Sequence, residues 1–440
     1  MSDGLPQLRR VGMPEVREIV RRHEAFRVGR MGGARANLGH CDLSGMSLVK
    51  IRLVEASAPG IVFRRADLTG AELDQADLFG ADFREATLCG ASLERADLRG
   101  ATFQGADLTG AKLCGADFRD GAVHDRLKAG VLVRRVHRDD GFHLGGARLV
   151  RSDLSGARMG GIAAACADFS DAVLVGTKFE GATLRGSCFR GATLDGVDLS
   201  GADLRDADFT DAVMNRVVLT GASLEGMIRK GVVSDTSMGV SLAELRGGLA
   251  LALSAHAAWV GSSGVEGRRL CVSGYDLRGT VSLEGALCTL AVAERAVFFG
   301  LSLVGLQGQA GEFRGADFRE VVLNSADLRG SDLRECRFHR AHLSGVDFGP
   351  LDLGNGRSKV TRLEKAVLRQ VDLRGANLRG AVLDGADLTG ARLEGADLTG
   401  ASVVGACFEN VDGPRHLAVN GGARVRAARV RVTGEPARAV

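Results

Sequence analysis

Large apolar residues recur at every fifth position through most of the chain, and a small residue stands two positions before each of them. From Ala66 the sequence reads ADLTG AELDQ ADLFG ADFRE ATLCG, and this pattern continues without a gap to Asp120. A period of five fits neither the 3.6-residue turn of an α-helix nor the two-residue alternation of a long strand. The spacing therefore predicts a repeat architecture.

Each five-residue unit predicts a very short strand followed by a corner. The small and large residues, such as Ala66 and Leu68, point to one side of an extended segment, and the polar residue between them points away. The next two positions are polar or glycine, which suits a turn. One unit cannot bury its apolar side alone, so the units must stack. The centres that we predict to be buried include Leu68, Leu78, Phe83, Phe179, Phe189, Phe209, Phe318, Leu388 and Leu398.

The pattern A(D/N)LXX resembles the pentapeptide-repeat family over about two-thirds of the chain. The resemblance implies an all-β fold, a right-handed parallel β-helix (pentapeptide-repeat solenoid) of square cross-section. Four units would form each coil, with the central and small residues in its interior. We also expect short α-helical caps and two cap-plus-solenoid units in tandem, since an exposed end of a solenoid needs a cover.

Interruptions of the repeat predict the segment boundaries. Two helical stripes, at 14–28 and 241–260, each end in a histidine, two residues and an aromatic residue. We interpret His23 and Phe26, and likewise His256 and Trp259, as cap residues that contact the first coil. The predicted segments are an N-terminal helical cap at 1–30, solenoid at 31–120, an inserted β-hairpin with its turn at 139–141 within 121–146, solenoid at 147–230, a helical cap and linker at 231–266, solenoid at 267–410 and a basic tail at 411–440.

Composition refines this prediction in three respects. The chain has 62 glycines but only 6 prolines among 440 residues, so the glycines belong to the repeat rather than to linkers. A formal charge of +3 favours neither a nucleic-acid binder nor an acidic DNA mimic, and we expect no nucleic-acid partner. Nine scattered cysteines without a CxxC pair, together with the lack of a signal peptide or membrane span, predict a cytoplasmic protein.

One local cluster resembles a metal site, and it lies in the insert. His137 and His143 could approach each other in a hairpin, but their spacing fits no standard zinc pattern. We interpret them, with His124, Asp125, Asp139 and Asp140, as solvated polar residues. The sequence contains no P-loop, no HExxH and no arguable nucleophile–base set. We therefore expect no catalytic residue, no bound cofactor, no metal and no enzyme activity.

Two functional hypotheses remain open. The first is a non-catalytic protein–protein interaction scaffold with an unidentified partner, whose contact points would be the insert and a second loop at 349–360. The second comes from the resemblance, because some pentapeptide-repeat proteins mimic DNA and bind DNA gyrase or topoisomerase. Those proteins are shorter and strongly acidic, whereas this chain is near neutral with a basic tail. The sequence leaves the homo-oligomeric state undecided.

Overall fold

The computed structural model describes residues 8–119, 143–235, 239–278, 280 and 283–413, and the backbone of the short strands at 123–126, 132–135, 416–418 and 424–426. Two compact units divide the chain, Met1–Thr236 and Ser237–Val440. Each unit is described by itself below.

Both units are built from square coils of four pentapeptides. Asp67 forms a parallel bridge with Thr87, which in turn bridges Asp107, so the chain returns to the same position after every fourth pentapeptide. Where another coil follows, the N–H of a central residue donates to it, as Leu68 N does to Thr87 O at 2.7 Å. The last residue of each corner has a left-handed backbone, with φ of 66° at Gly70, and glycine adopts this conformation without strain. The predicted right-handed β-helix is confirmed.

The central and small residues fill the interior of each coil. All nine predicted centres are buried, and none is more than 3% exposed. Phenylalanines at equivalent positions of successive coils stack face to face, with ring centroids 4.6–5.2 Å apart. Three such columns occur in the described residues: Phe63–Phe83–Phe103, Phe169–Phe189–Phe209 and Phe298–Phe318–Phe338.

Each unit starts with a strand and a helix that cover the first coil. In the first unit, strand β1 (Arg9–Arg10) pairs in parallel with β2 (Cys41–Asp42), and helix α1 spans Met13–Arg27. The repeat pattern does not predict these cap strands, because two residues carry no periodicity. The sequence places α1 within one residue of its observed ends.

The second unit uses the same order of elements. Its cap strand β7 (Val240–Ser241) pairs in parallel with β8 (Tyr275–Asp276), and helix α2 spans Gly248–Gly261. The prediction of one helix over 241–260 is wrong in its first part. A 3-10 turn (Leu242–Glu244) ends before Gly247, whose left-handed backbone (φ 77°) separates it from α2.

The insert of the first unit contains an antiparallel strand pair that precedes the predicted turn. Strand β3 (Val123–Arg126) pairs antiparallel with β4 (Leu132–Arg135), so the chain reverses between them, and residues 139–141 lie outside the described residues. The coil resumes earlier than the predicted residue 147. Phe103 N donates to His143 O at 2.6 Å, and Leu144 is fully buried as a coil centre. The insert therefore ends before His143.

The remaining strands extend or interrupt the coils. In the first unit β5 (Val213–Met214) pairs in parallel with β6 (Val233–Ser234), so this solenoid continues past the predicted end at 230. In the second unit the bridge between Arg392 and Asp412 carries the coils past 410. The antiparallel pairs are β9 (Leu351–Asp352) with β10 (Ser358–Lys359), and β11 (His416–Ala418) with β12 (Arg424–Arg426).

Candidate interaction surfaces

The outward-facing aspartates hold the corners of the coils. Asp67 Oδ1 accepts from Thr69 N at 3.0 Å and from Thr69 Oγ1 at 2.6 Å. This two-residue bond closes an Asx turn, so the carboxylate substitutes for a backbone acceptor. The same bond to a threonine or serine recurs at Asp107, Asp153, Asp168, Asp198, Asp208, Asp387 and Asp397. The row of aspartates is therefore part of the fold's hydrogen bonding.

Where arginine follows two residues after the aspartate, the two side chains pair. Arg205 Nε and Nη2 donate to the two carboxylate oxygens of Asp203 at 2.8 and 2.6 Å. Hydrogen bonds from Arg205 lower the pKa of Asp203 to about 2 despite its partial burial. Equivalent pairs are Asp82–Arg84, Asp97–Arg99, Asp117–Arg119, Asp276–Arg278, Asp317–Arg319, Asp327–Arg329, Asp332–Arg334 and Asp372–Arg374. These carboxylates are neutralised within their own pentapeptides.

One of these pairs is buried. The side chain of Arg319 is only 1% exposed and donates to Asp317 from Nε at 2.8 Å and from Nη2 at 2.5 Å. The sequence alone does not reveal this burial, because the same Asp-Phe-Arg pattern at Asp117 and Arg119 leaves the arginine half exposed.

His23 joins the first cap to both ends of the first coil. Its Nδ1 accepts from Ala36 N at 3.1 Å, and its Nε2 lies 2.8 Å from Val54 O. Since Nδ1 accepts a backbone N–H, the proton of a neutral ring stands on Nε2 and is donated to Val54 O. The imidazole is fully buried and stacks at 6.3 Å on Phe26, which is itself half exposed.

His256 occupies the equivalent place in the second cap. Its Nδ1 accepts from Leu270 N at 3.0 Å, and its ring stacks at 5.8 Å on Trp259. The carbonyl of Thr289 lies near the ring but outside hydrogen-bonding geometry with Nε2. Burial lowers the pKa of His256; the Thr289 carbonyl opposes this effect and the charge of Arg269 adds to it. Both histidines thus bind the first residue of a solenoid.

A glycine in each cap lets the following loop fold back on the helix. A Cβ at Gly33 would lie 2.3 Å from Phe26 N, and one at Gly267 would lie 2.0 Å from Ala255 O. The two loops close with matching bonds, Ala34 N to Arg22 O at 3.0 Å and Arg268 N to Ala255 O at 3.1 Å. The pairing of histidine, aromatic and glycine is visible in the sequence, whereas the close backbone approach is not.

The loop at 349–360 forms an anchored hairpin, β9–β10. At its base, Gly330 N donates to Thr361 Oγ1 at 2.8 Å, and Thr361 Oγ1 lies 3.2 Å from both Leu328 O and Gly349 O. At its tip, Leu353 is 53% exposed. The structure thus holds an apolar side chain away from the coil on a fixed base.

A cleft of about 260 Å³ lies between α1 and residues 47–51 of the coils. Val16, Val20, Leu48, Val49 and Ile51 provide its apolar lining. This cleft is absent from the sequence prediction, because its two walls come from separate segments of the chain that only the fold brings together.

The metal-like cluster of the insert is placed only in part. His124 and Asp125 lie in β3, whereas His137, Asp139 and Asp140 fall outside the described residues. Among the side chains that the structure describes, no three His, Cys, Asp or Glu groups come together as metal ligands. Within the same part of the chain, neither helix has the length and apolar character needed to cross a bilayer.

Several solved pentapeptide-repeat structures are similar to this chain. HetL of the cyanobacterium Nostoc sp. strain PCC 7120, involved in heterocyst differentiation regulation, is 31% identical, with 45% of this chain and 78% of HetL covered and a TM-score of 0.32. Rfr23 of the cyanobacterium Cyanothece 51142 is 25% identical, with coverages of 30% and 84% and a TM-score of 0.21. Full-length QnrB1, a plasmid-mediated fluoroquinolone resistance protein, is 22% identical, with coverages of 44% and 92% and a TM-score of 0.16.

A comparison with curated proteins yields no match. The family described as Pentapeptide repeats matches this chain in successive copies that together span more than half of it. The matched residues are 47–84, 81–120, 165–201, 187–226, 312–349, 361–400 and 376–412. The chain therefore belongs to the pentapeptide-repeat family.

Proposed function

We propose that this chain is a non-catalytic protein–protein interaction scaffold. The observation that carries the proposal is that hairpins are inserted into the coils without disturbing the ladder on either side. Asp332 bridges Arg362 instead of Asp352, which stands four pentapeptides after it, and the following bridges, such as Arg362 to Val382, return to the four-pentapeptide step. The insertion therefore adds a projecting element to a frame that stays intact.

The hairpin β9–β10 is well suited to bind a partner protein. Its base is fixed by the buried bonds of Thr361, so little conformational entropy is lost when its tip is bound. Its exposed Leu353 provides an apolar contact, and Arg357 beside it provides a positive charge. Rigid frames that present such loops are a common way to build binding sites.

The DNA-mimic alternative has less support from the outer surface. A protein that imitates DNA needs carboxylates whose charge is not compensated. In the described residues, however, pairs such as Asp97–Arg99 and Asp372–Arg374 join a carboxylate to a guanidinium on the same pentapeptide. We therefore do not put gyrase or topoisomerase forward as the partner.

Two deletions test the scaffold without breaking the repeat. Asp332 and Arg362 bridge each other across β9–β10, and removal of residues 350–359 restores the four-pentapeptide step between them. Asp107 and Arg148 bridge each other across the first insert, and removal of residues 121–141 restores the same step there. Full-length protein and both deletions are cross-linked in a native lysate, and the captured proteins are quantified by mass spectrometry and re-tested in purified form. We expect one partner to be lost with one deletion and retained with the other. If purified candidates bind all three forms equally, the hairpins are not the contact points.

Circular dichroism and unfolding of the deletion variants provide the folding control. A variant that keeps the wild-type spectrum and unfolding midpoint reports on binding alone.

A further inference from the structure

The cleft along α1 has an apolar floor and charged side chains on its helix wall. Arg17, Arg21 and Glu24 border it on the helix, and Ser47 borders it on the coil. Val49, on the floor, is 46% exposed, so it offers apolar surface to a bound side chain. A cleft of about 260 Å³ has room for one or two large apolar side chains.

The charges of this cap are only partly compensated. Residues 8–35 contain eight arginines and three glutamates. Arg21 pairs with Glu18 at 2.6 Å, and Arg52 pairs with Glu72 at 3.0 Å and lies 3.9 Å from Glu24. Arg17, Arg22, Arg27 and Arg30 make no ion pair with any described residue, and they are exposed.

The second cap shows that these charges are not needed for capping. Aligned on His23 and His256, the apolar positions Val16 and Val20 correspond to Leu249 and Leu253, which pack on their own coil in the same way. The charged positions differ, because Arg17, Arg21 and Glu24 correspond to Ala250, Ser254 and Ala257. Since Ala250 and Ser254 serve in a cap with the same histidine Nδ1 bond and a similarly close glycine, the arginines of the first cap require another explanation.

We propose that the α1 cleft binds a protein segment in which large apolar residues are flanked by Asp or Glu. The apolar side chains would enter between Val20 and Val49, and the carboxylates would reach Arg17 and Arg21. A concave cleft fits a peptide better than the flat surface of a membrane, which favours protein over lipid. This inference rests on the scaffold function and assigns it a second contact site with a defined chemistry.

The test uses a phage-displayed library of random peptides, selected on immobilised full-length protein. Affinities of the enriched peptides are then measured by fluorescence anisotropy. The double variant R17A/R21S copies the residues of α2 at these positions, and V49T copies Thr69, which stands at the same corner one coil later. Leu251→Ala, at an exposed position of α2, is the control outside the cleft.

We expect the enriched peptides to combine Asp or Glu with Leu, Phe or Trp. Their Kd should rise at least tenfold in R17A/R21S and severalfold in V49T, remain unchanged in Leu251→Ala, and rise with salt from about 0.05 to about 0.5 M. Peptides that bind the cleft variants as well as wild type, or a library without any binder, would overturn the inference while leaving the hairpin deletions as the test of the scaffold. Cosedimentation with phosphatidylserine vesicles that depends on Arg17 and Arg21, without peptide competition, would overturn it in favour of anionic lipid.

Discussion

Truncation of Phe189 to alanine tests how much the stacked interior contributes to stability. Phe189 lies in the middle of its column, 4.9 Å from Phe169 and 4.6 Å from Phe209, with the ring planes within 9° of parallel. It also meets Phe179 edge-on at 6.4 Å, and all four rings are fully buried. The substitution therefore removes two stacked contacts and one edge contact at once.

The expected cost is about 4 kcal/mol of unfolding free energy for the first unit, because Phe→Ala in a core costs about 3–5 kcal/mol through lost transfer free energy and the cavity that remains. The upper half of this range is appropriate here, since the hydrogen-bonded coils above and below fix the spacing and resist collapse. Loss of aromatic pairs, worth about 0.5–1.5 kcal/mol each, is part of this cost.

Phe189→Leu is the matched control, because Leu149 fills the same column two coils earlier. It should cost less than about 1.5 kcal/mol. Urea unfolding followed by far-UV circular dichroism gives the free energies. Hydrogen exchange adds a positional readout: since a repeat contacts only its neighbours, protection should fall mainly in coils 165–215 and much less around Phe83.

Two results would refute this reasoning. A cost below about 1 kcal/mol for Phe189→Ala would mean that the coils close around the missing ring. Equal losses of unfolding free energy in Phe189→Ala and Phe189→Leu would mean that the size of the central side chain has little influence on stability.

Three further predictions concern the caps. His23→Ala should destabilise the first unit by about 2–4 kcal/mol in urea unfolding, because Ala36 N–H and Val54 O lose their partner inside the protein; His23→Gln should recover part of the loss, and equal costs for both would contradict the hydrogen-bond explanation. Because the pKa of His256 in the folded state is lowered from about 6.5, the unfolded chain binds the additional proton at acidic pH. The second unit should therefore keep its stability above pH 6.5 and lose stability as the pH falls below that value. Trp259 fluorescence reports the unfolding, and His256→Gln should flatten this pH dependence. Gly33→Ala should lower the free energy of unfolding by about 1–3 kcal/mol, since its Cβ would lie 2.3 Å from Phe26 N. Gly12→Ala is the control, because the nearest atom to its Cβ would be 3.7 Å away. Equal losses in the two variants would show that the loop moves freely.

The sequence predicts the coils well because each pentapeptide repeats the same local pattern of inward-facing and outward-facing residues. Ala66 and Leu68 alone define which side faces inward, and stacking multiplies that choice along the unit. The cap strand Arg9–Arg10 escapes prediction because its pairing depends on Cys41–Asp42, which lie beyond the whole of α1 in the chain. The hairpin β3–β4 escapes prediction as well, because Val123 to Arg126 carry no strand pattern of their own, and the predicted turn at 139–141 lies outside the described residues.

The outer surface is predicted least well, because polar side chains that stabilise the fold and polar side chains that are available to bind a partner look the same in the sequence. Asp67 faces outward as predicted, yet its carboxylate accepts hydrogen bonds from Thr69 and so stabilises a corner of the coil. Arg99 and Arg17 both face outward, but the first is bound to Asp97 within its own pentapeptide and the second is bound to no described residue.

Comparison of the two caps distinguishes residues needed for folding from residues available for binding more clearly than the coils do. Their shared features, a buried histidine that accepts a backbone N–H and a glycine pressed against the helix, are required by folding. Their differences, charged in α1 and small or apolar in α2, are free of that requirement. A chain that builds the same cap twice thus contains its own control, and recognition is best sought where the two copies diverge. By this argument, exchange of α1 surface residues for those of α2 should preserve folding and remove binding at the cleft.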